Sequence, residues 1–416
     1  MKNRLTLLLL GAAALPLSAA EWAFEPGVQG RYRYDDNLRL QEEEAVETNE
    51  FALRAWADFS RRTARSELTG SLEYTGRRFD EDGLDSDDVR ADIESFYNLS
   101  QRQQLSLDLD LVKDTTLDSL LEDTGIVFDR IERTSATLSP GWQYSLDEKT
   151  RLSATVNLTD VSFDDTGSTG LGDYNNYSLN LSATRNFTST TQLLLALGGS
   201  RFERNDDSIR SDNLQLTLGF NHQYSERISF GGSVGARQTD TTVERGALVC
   251  PPGTRLFFPP QFPCADNAGN ISNFIISTVT TEDSSTGLVG NLNASYELER
   301  GSLSLDANRS VTSNAFSGST VTDRVVATLE HRFSERLRGD LRVQWTRSED
   351  SGDASLRLER TLIRISPGLN WNLSRALRLR AGYRYTQQSR EDRDDVDSNQ
   401  LSLSLSYQWP KMAVSR

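Results

Sequence analysis

Two histidines, two cysteines and an uneven scatter of arginines and carboxylates are what this 416-residue chain offers for chemistry. A hydrolase needs an imidazole within reach of its nucleophile and a carboxylate to orient it. Only His222 and His331 are available. Each shares the phase of the leucines in its own alternating run and lies just before a short polar turn, the place of a girdle residue. No C-x-x-C or H-E-x-x-H occurs. The expectation is a protein that is not an enzyme and uses no metal and no cofactor. The acidic run DEDGLDSDD (80–88) does not change this. Its Gly83 is misplaced for an EF-hand and no glutamate closes the loop, so it reads as a solvated loop.

Cys250 and Cys264 frame CPPGTRLFFPPQFPC. In an exported chain they can pair, and a bridge across a loop of about 15 residues is worth roughly 3 kcal/mol in the chain-entropy account. The ring holds Leu256, Phe257, Phe258 and Phe262, which need cover. They could fold into a barrel mouth as a constriction, lie against a partner, or pack on one another.

Charge is divided along the chain. Glu67, Glu73, Asp92, Glu94, Asp108 and Asp110 fall on the polar phase of the early segments. Arg342, Arg364, Arg378, Arg380 and Arg384 do so in the late ones, and Arg31 and Arg33 share that phase at the start. Two expectations stand side by side. An acidic wall opposed to a basic wall would set up a transverse field in a wet pore and select polar or anionic solutes. Alternatively, the groups pair across strands and fill the space.

The elements that would position these groups have a period of two, not 3.6. Leu105, Leu107, Leu109 and Leu111 alternate with Ser106, Asp108 and Asp110. Leu377, Leu379, Ala381, Tyr383 and Tyr385 alternate with Arg378, Arg380, Gly382 and Arg384. In a strand these sets lie on opposite faces. Mean hydropathy is −0.53 and net charge −15. Beyond the leader no apolar run approaches the ~20 residues of a spanning helix. A β-barrel crosses a membrane without one, because hydropathy averages over its alternation. An arginine on the lipid face near the midplane costs roughly 2–4 kcal/mol, so the leucine phase faces lipid. The acidic balance argues against nucleic acid as a partner.

A short bend recurs between the runs. It reads Phe59-Ser60, Leu99-Ser100, Tyr144-Ser145, Phe187-Thr188, Tyr224-Ser225, Phe333-Ser334 and Leu373-Ser374, with a looser copy at 298–301. An aromatic or leucine before a hydroxyl residue fits an interfacial girdle followed by a tight turn. Longer acidic segments (80–88, 164–173, 204–212, 348–353, 390–398) fall between the bends, as outer loops should. Eighteen strands are expected, with sixteen the alternative. The first is 26–35, the last is 398–409, and 226–239 and 284–298 flank a long loop at 240–283. Residues 1–20 read as a signal peptide cleaved before Glu21, leaving 21–416 as one barrel domain in the outer membrane of a Gram-negative envelope, with both termini on the periplasmic side.

The stretch EPGVQGRYRYDDNLRL (25–40) resembles the opening strand of the beta-barrel porin type 2 outer-membrane proteins. Gly30, Tyr32, Tyr34, Asp35, Asp36 and Asn37 carry the likeness. The resemblance implies an outer-membrane channel, with some members similar to barrels found with exopolysaccharide export systems. LSLSLSYQW (401–409) looks like a terminal assembly strand, although PKMAVSR follows it. The sequence therefore predicts an all-β, antiparallel up-and-down transmembrane barrel, porin-like, for polar solutes or a polysaccharide. A non-transporting surface barrel is the alternative. Expected partners are membrane lipid, lipopolysaccharide and the barrel assembly machinery.

Overall fold

The computed structural model describes residues 21–42, 45–116, 130–164, 171–250, 254–256, 264–266, 271–272, 275–312, 320–350, 359–390 and 393–415. The signal-peptide expectation thus lies outside the described residues. In chain order the first strands are β1 (Glu21–Asp35), β2 (Thr48–Arg62), β3 (Ser66–Phe79), β4 (Ser86–Asn98), β5 (Gln103–Thr115) and β6 (Glu132–Ser145). β7 (Thr150–Phe163), β8 (Tyr174–Asn186), β9 (Thr191–Arg204), β10 (Ile209–Gln223) and β11 (Ile228–Val249) follow. Three short strands, β12 (Thr254–Leu256), β13 (Cys264–Asp266) and β14 (Ile271–Ser272), form a separate small sheet. The wall resumes with β15 (Ile275–Leu298), β16 (Gly301–Thr312), β17 (Thr320–Arg332), β18 (Leu337–Asp350), β19 (Glu359–Asn372), β20 (Leu377–Arg390) and β21 (Arg393–Gln408), and ends on β22 (Met412–Ser415).

Every wall strand pairs antiparallel with its sequence neighbours. β1 closes the sheet by pairing with β2 on one side and β21 on the other, from Gly27↔Gln408 to Asp35↔Gln400. The result is a closed barrel of 18 strands. The residues after Trp409 extend the seam. The Trp409 amide donates to the Pro26 carbonyl at 3.0 Å. β22 then pairs with the start of β1, Phe24↔Met412 to Glu21↔Ser415. Closure leaves no edge along the wall, which a sheet in hydrocarbon requires.

Alternation fixes the register. Leu214, Leu216 and Leu218, with Leu401, Leu403 and Leu405, project outward and stay exposed. A one-residue slip would turn every serine, arginine and carboxylate toward lipid. The recurring bend has a physical cause. The Ser334 hydroxyl accepts from the Arg336 and Leu337 amides (3.3 and 3.1 Å), and Ser374 does the same from Ala376 and Leu377 (3.2 and 3.0 Å). Ser225 repeats it with Arg227 and Ile228. Two bends lie later than the sequence pattern places them. Phe59-Ser60 is inside β2, with Thr63 capping its turn. Tyr144-Ser145 is inside β6, with Asp147 capping. Beside the turns, Phe187, Tyr224 and Phe333 are exposed aromatics. His222 and His331 meet Phe230 and Phe333 edge-on, at 5.4 and 4.9 Å between ring centroids.

The opposite end differs from expectation in two ways. Segments 204–212 and 390–398 are mostly strand, because β10 begins at Ile209 and β21 at Arg393. The 240–283 loop is shorter than expected. β11 and β15 continue their ladder to Val249↔Ile275, carried by the β-branched run around Thr241, Thr242 and Val243.

Candidate functional site

The inward phase builds the lumen. Its inner, short-turn half is open and its outer half is packed. Along β20, Arg378 and Arg380 are exposed, Arg384 is half-buried, and Thr386 and Gln388 are buried. Along β18, Arg338 and Arg342 are exposed whereas Gln344, Thr346 and Ser348 are buried. β2 repeats the gradient from half-buried Asp58 and Arg54 to buried Ala52, Glu50 and Thr48. A strand face open to water throughout would show no such gradient.

Two apolar clusters sit at the packed end. Leu38 and Leu84 pack with Phe79. Ile131, Val161, Phe163 and Leu171 pack with Tyr174, whose ring also lies 5.0 Å from that of Phe202. These residues escaped the alternation pattern because they are apolar on the wet phase or lie in loops. The available signal was apolar residues breaking the polar phase at strand ends: Val161 and Phe163 in β7, Phe202 in β9 and Phe79 in β3.

The first loop is tied down by the Asp35-Asp36-Asn37 triplet. Asp35 Oδ1 accepts from the Ser398 hydroxyl at 2.8 Å and from the Asn37 amide at 3.1 Å. Asp36 accepts from the Asn399 amide and side chain at 2.6 and 2.8 Å. Asn37 Nδ2 donates to the Gln41 and Asp397 carbonyls (3.0 and 3.1 Å), and its Oδ1 accepts from the Gln41 amide at 3.0 Å. The triplet thus joins the end of β1 to the beginning of β21 and sets Leu38 and Leu40 inside, both buried. Leu40 has φ 47°, in the left-handed region, as the sharp return of the chain requires.

The structure separates the predicted site residues by their partners. Arg31 and Arg33 both pair with Glu50, at 2.6 and 2.5 Å. Arg380 pairs with Asp340 at 3.1 Å, Arg378 donates to Asn372 Oδ1 at 3.2 Å, and Arg384 donates to Gln400 Oε1 at 3.5 Å. Arg364 stands opposite Gln344 and Thr386 in register. Arg342 is exposed, opposite Thr328 and Ser366. Among the acids, Glu67 pairs with Arg62 and Glu73 with Arg54, each at 2.5 Å. Arg90 approaches Asp92 and Asp110 at 3.9 and 3.7 Å. Asp92 faces Asp110 across the ladder, and Glu94 faces Asp108. Glu94 and Asp108 form no ion pair among the described residues.

Strand order corrects the picture of opposed walls. The arginines occupy β18, β19, β20 and β1, and the acids β3, β4 and β5. Only β2 separates the two groups on that side, so they are lateral neighbours and the field runs along the wall. Much of the remaining wall is hydroxyl and amide, with contacts such as Thr137–Thr159 at 3.0 Å, Ser153–Ser182 at 2.6 Å and Asn157 to Ser178 at 2.8 Å. Phe257, Phe258 and Phe262, the expected constriction, lie outside the described residues.

The barrel is similar to several solved structures. OpdK of Pseudomonas aeruginosa, solved with vanillate, has 13% identity and a TM-score of 0.49 over 94% of this chain and 99% of that one. OccAB4 of Acinetobacter baumannii has 9% identity and a TM-score of 0.48, with coverage of 94% and 99%. The open form of the ferric-catecholate import receptor Fiu of E. coli K12 has 10% identity and a TM-score of 0.47, with coverage of 92% and 81%. No family profile matches the chain, and no curated protein does. At such identities the likeness is one of barrel shape and not of lumen side chains.

Proposed function

We propose that the mature chain is an outer-membrane channel for polar solutes, wet and open on the periplasmic side and held shut at its outer end by the first loop. The observation that carries this reading is the burial gradient along the inward phase, from exposed Arg378 and Arg342 to buried Gln388 and Gln344. A hydrated vestibule lined by charge, hydroxyl and amide groups admits polar solutes and rejects apolar ones. Export of an exopolysaccharide is the finer form of this proposal, supported by the resemblance of residues 25–40. Residues 1–20 act in it as the secretory signal, the assembly machinery inserts the barrel, and lipopolysaccharide surrounds it. A Cys250–Cys264 bridge belongs to the same reading: no free cysteine occurs among the described residues.

Planar-bilayer recording tests the gate. Asn37→Ala removes the hydrogen bonds that hold the loop, each buried partner left unmet costing about 1–3 kcal/mol. Open probability is expected to rise roughly tenfold or more, since about 1.4 kcal/mol corresponds to tenfold. A fluorescent anionic oligosaccharide added on the periplasmic side should interrupt the opened current. Absence of conductance steps in both proteins would sink the channel and favour a second reading, a non-transporting surface barrel. That reading has its own support in the buried Thr239, Gln344 and Gln388 at the outer end.

A further inference from the structure

The hairpin of β11 and β15 is built unlike the rest of the wall. All 22 residues of β11 pair with β15. On its other side β11 meets β10 only as far as Val243, opposite Ile209. β15 meets β16 only from Gly290, opposite Arg309. Between Ile275 and Val289, therefore, the side of β15 away from β11 has no strand partner among the described residues. Residues 279–284 are exposed in succession, so both faces of β15 are open there, whereas Thr241 on β11 opposite stays buried. The alternation that marks the barrel wall is absent.

A two-stranded ribbon is marginal by itself, and an unpaired edge offers a row of amides and carbonyls to any extended chain. This edge is well suited to accept one. IISTVTTEDSSTGLV (275–289) is rich in β-branched residues and has no proline, lysine or arginine. Its charges are Glu282 and Asp283. Across the ribbon lie Asp240 and Glu244, opposite Ser284 and Thr280, and Asp240 accepts from the Ser284 hydroxyl at 2.6 Å. Four carboxylates thus crowd a short length of ribbon. In 235–249, the stretch paired with 275–289, the basic residues are Arg245 and Arg237, and Arg237 is buried and donates to the Ser285 hydroxyl at 3.5 Å. Antiparallel pairing of this edge with a second copy, centred on its middle, would set Glu282 directly against its own copy with Asp283 one position away. Like charges directly opposite disfavour a pair.

We propose that the free edge of β15, Ile275–Val289, is a docking site where an extended, basic segment of another protein adds as a further strand. Main-chain hydrogen bonds supply the hold and the carboxylates select the sign of the partner's charge. The inference is independent of whether the lumen conducts.

The test uses the full-length mature protein in detergent and two ten-residue probes, one alternating threonine with lysine and one alternating threonine with glutamate. Amide hydrogen exchange is followed over 275–289, with 228–243 as the internal reference. The lysine probe should slow exchange over 275–289 at least fivefold at low salt, an effect that fades as salt rises. The glutamate probe should leave exchange unchanged. Glu282→Lys with Asp283→Lys should exchange the two results. Adjacent residues of a strand aim their amides to opposite sides, so of Thr280→Pro and Thr281→Pro one removes a donor to β11 and the other a donor on the free edge. The latter should abolish protection while the folded barrel keeps its heat-modifiable mobility on gels. No slowing by either probe, or equal slowing by both, overturns the proposal. Protection that grows with protein concentration and no probe also overturns it, because the occupant would then be a second copy.

Discussion

Glu50 ties two arginines of the polar phase together. Its side chain is 1% exposed and meets both Arg31 and Arg33. Arg33 in turn lies 5.9 Å from the centre of the Phe79 ring, so the cluster joins β1, β2 and β3 below the first loop. One carboxylate between two guanidiniums leaves an excess positive charge. Taking the carboxylate away leaves two half-buried like charges on alternate residues of one strand. Glu50→Gln keeps the shape and removes the charge. It is expected to lower stability by about 3–5 kcal/mol, the usual cost of breaking a buried pair. The readout is the urea midpoint of the detergent-solubilised barrel, with its slope unchanged. A midpoint equal to wild type would mean that the arginines are hydrated in the native state. Alternation places Arg31 and Arg33 on one phase of β1, and the structure sets both beside Glu50. Alternation could not name Glu50, because a period of two reports the face of a residue and not its neighbour across the sheet. That neighbour depends on a register set by a loop of irregular chain.

At the scale of elements the turns were the most legible feature. A hydroxyl that caps the amides two and three residues on is a local device, so its sequence trace is local too. Where the cap is a threonine or aspartate further along, the trace misled. Phe59-Ser60 and Tyr144-Ser145 resemble the bend but continue their strands. The turn after β6 has a further consequence. The Asp147 carboxylate accepts from the Lys149 and Thr150 amides, both at 2.7 Å, and these bonds hold its pKa below the ordinary aspartate value. A group depressed in the folded state stabilises it above the unfolded pKa, near 3.9. That contribution is lost as pH falls through the lower, folded value. Amide protection at Thr150 should therefore decline on acidification below about pH 4, and Asp147→Asn should flatten the decline. Equal acid sensitivity in both proteins would rule out the carboxylate as the cap. The long outer ribbon was less legible. The cysteine-framed, proline-rich stretch drew the eye to a loop, although Thr241, Thr242 and Val243 already carry the composition of a strand.

For the molecule as a whole, strand order decides what the charges can do. The order around the closed barrel makes the strands that carry the acids and those that carry the arginines lateral neighbours. β18 through β1 bring Arg342 and Arg378 to the open half of the lumen, and β3 to β5 bring Glu94 and Asp108. Fields of adjacent opposite patches cancel beyond a Debye length, about 8 Å at physiological salt. A wide lumen should then discriminate weakly by charge until one patch is reversed. Arg342→Glu with Arg378→Glu does this most cleanly. Arg380 is a poor choice, since Asp340 pairs with it at 3.1 Å and reversal would press two carboxylates together. With both reversed, the charge of the open half between β18 and β5 moves four units toward acid, two for each arginine replaced by glutamate. Measured on the Asn37→Ala background in 0.1 M salt, the ratio of cation to anion permeability should rise about threefold or more, as expected for a pore lined by one sign. In 1 M salt, where the screening length falls to about 3 Å, the double variant and its parent should converge. A reversal potential that does not move at low salt would place the conducting path away from both patches, along the hydroxyl-lined side from β6 to β10.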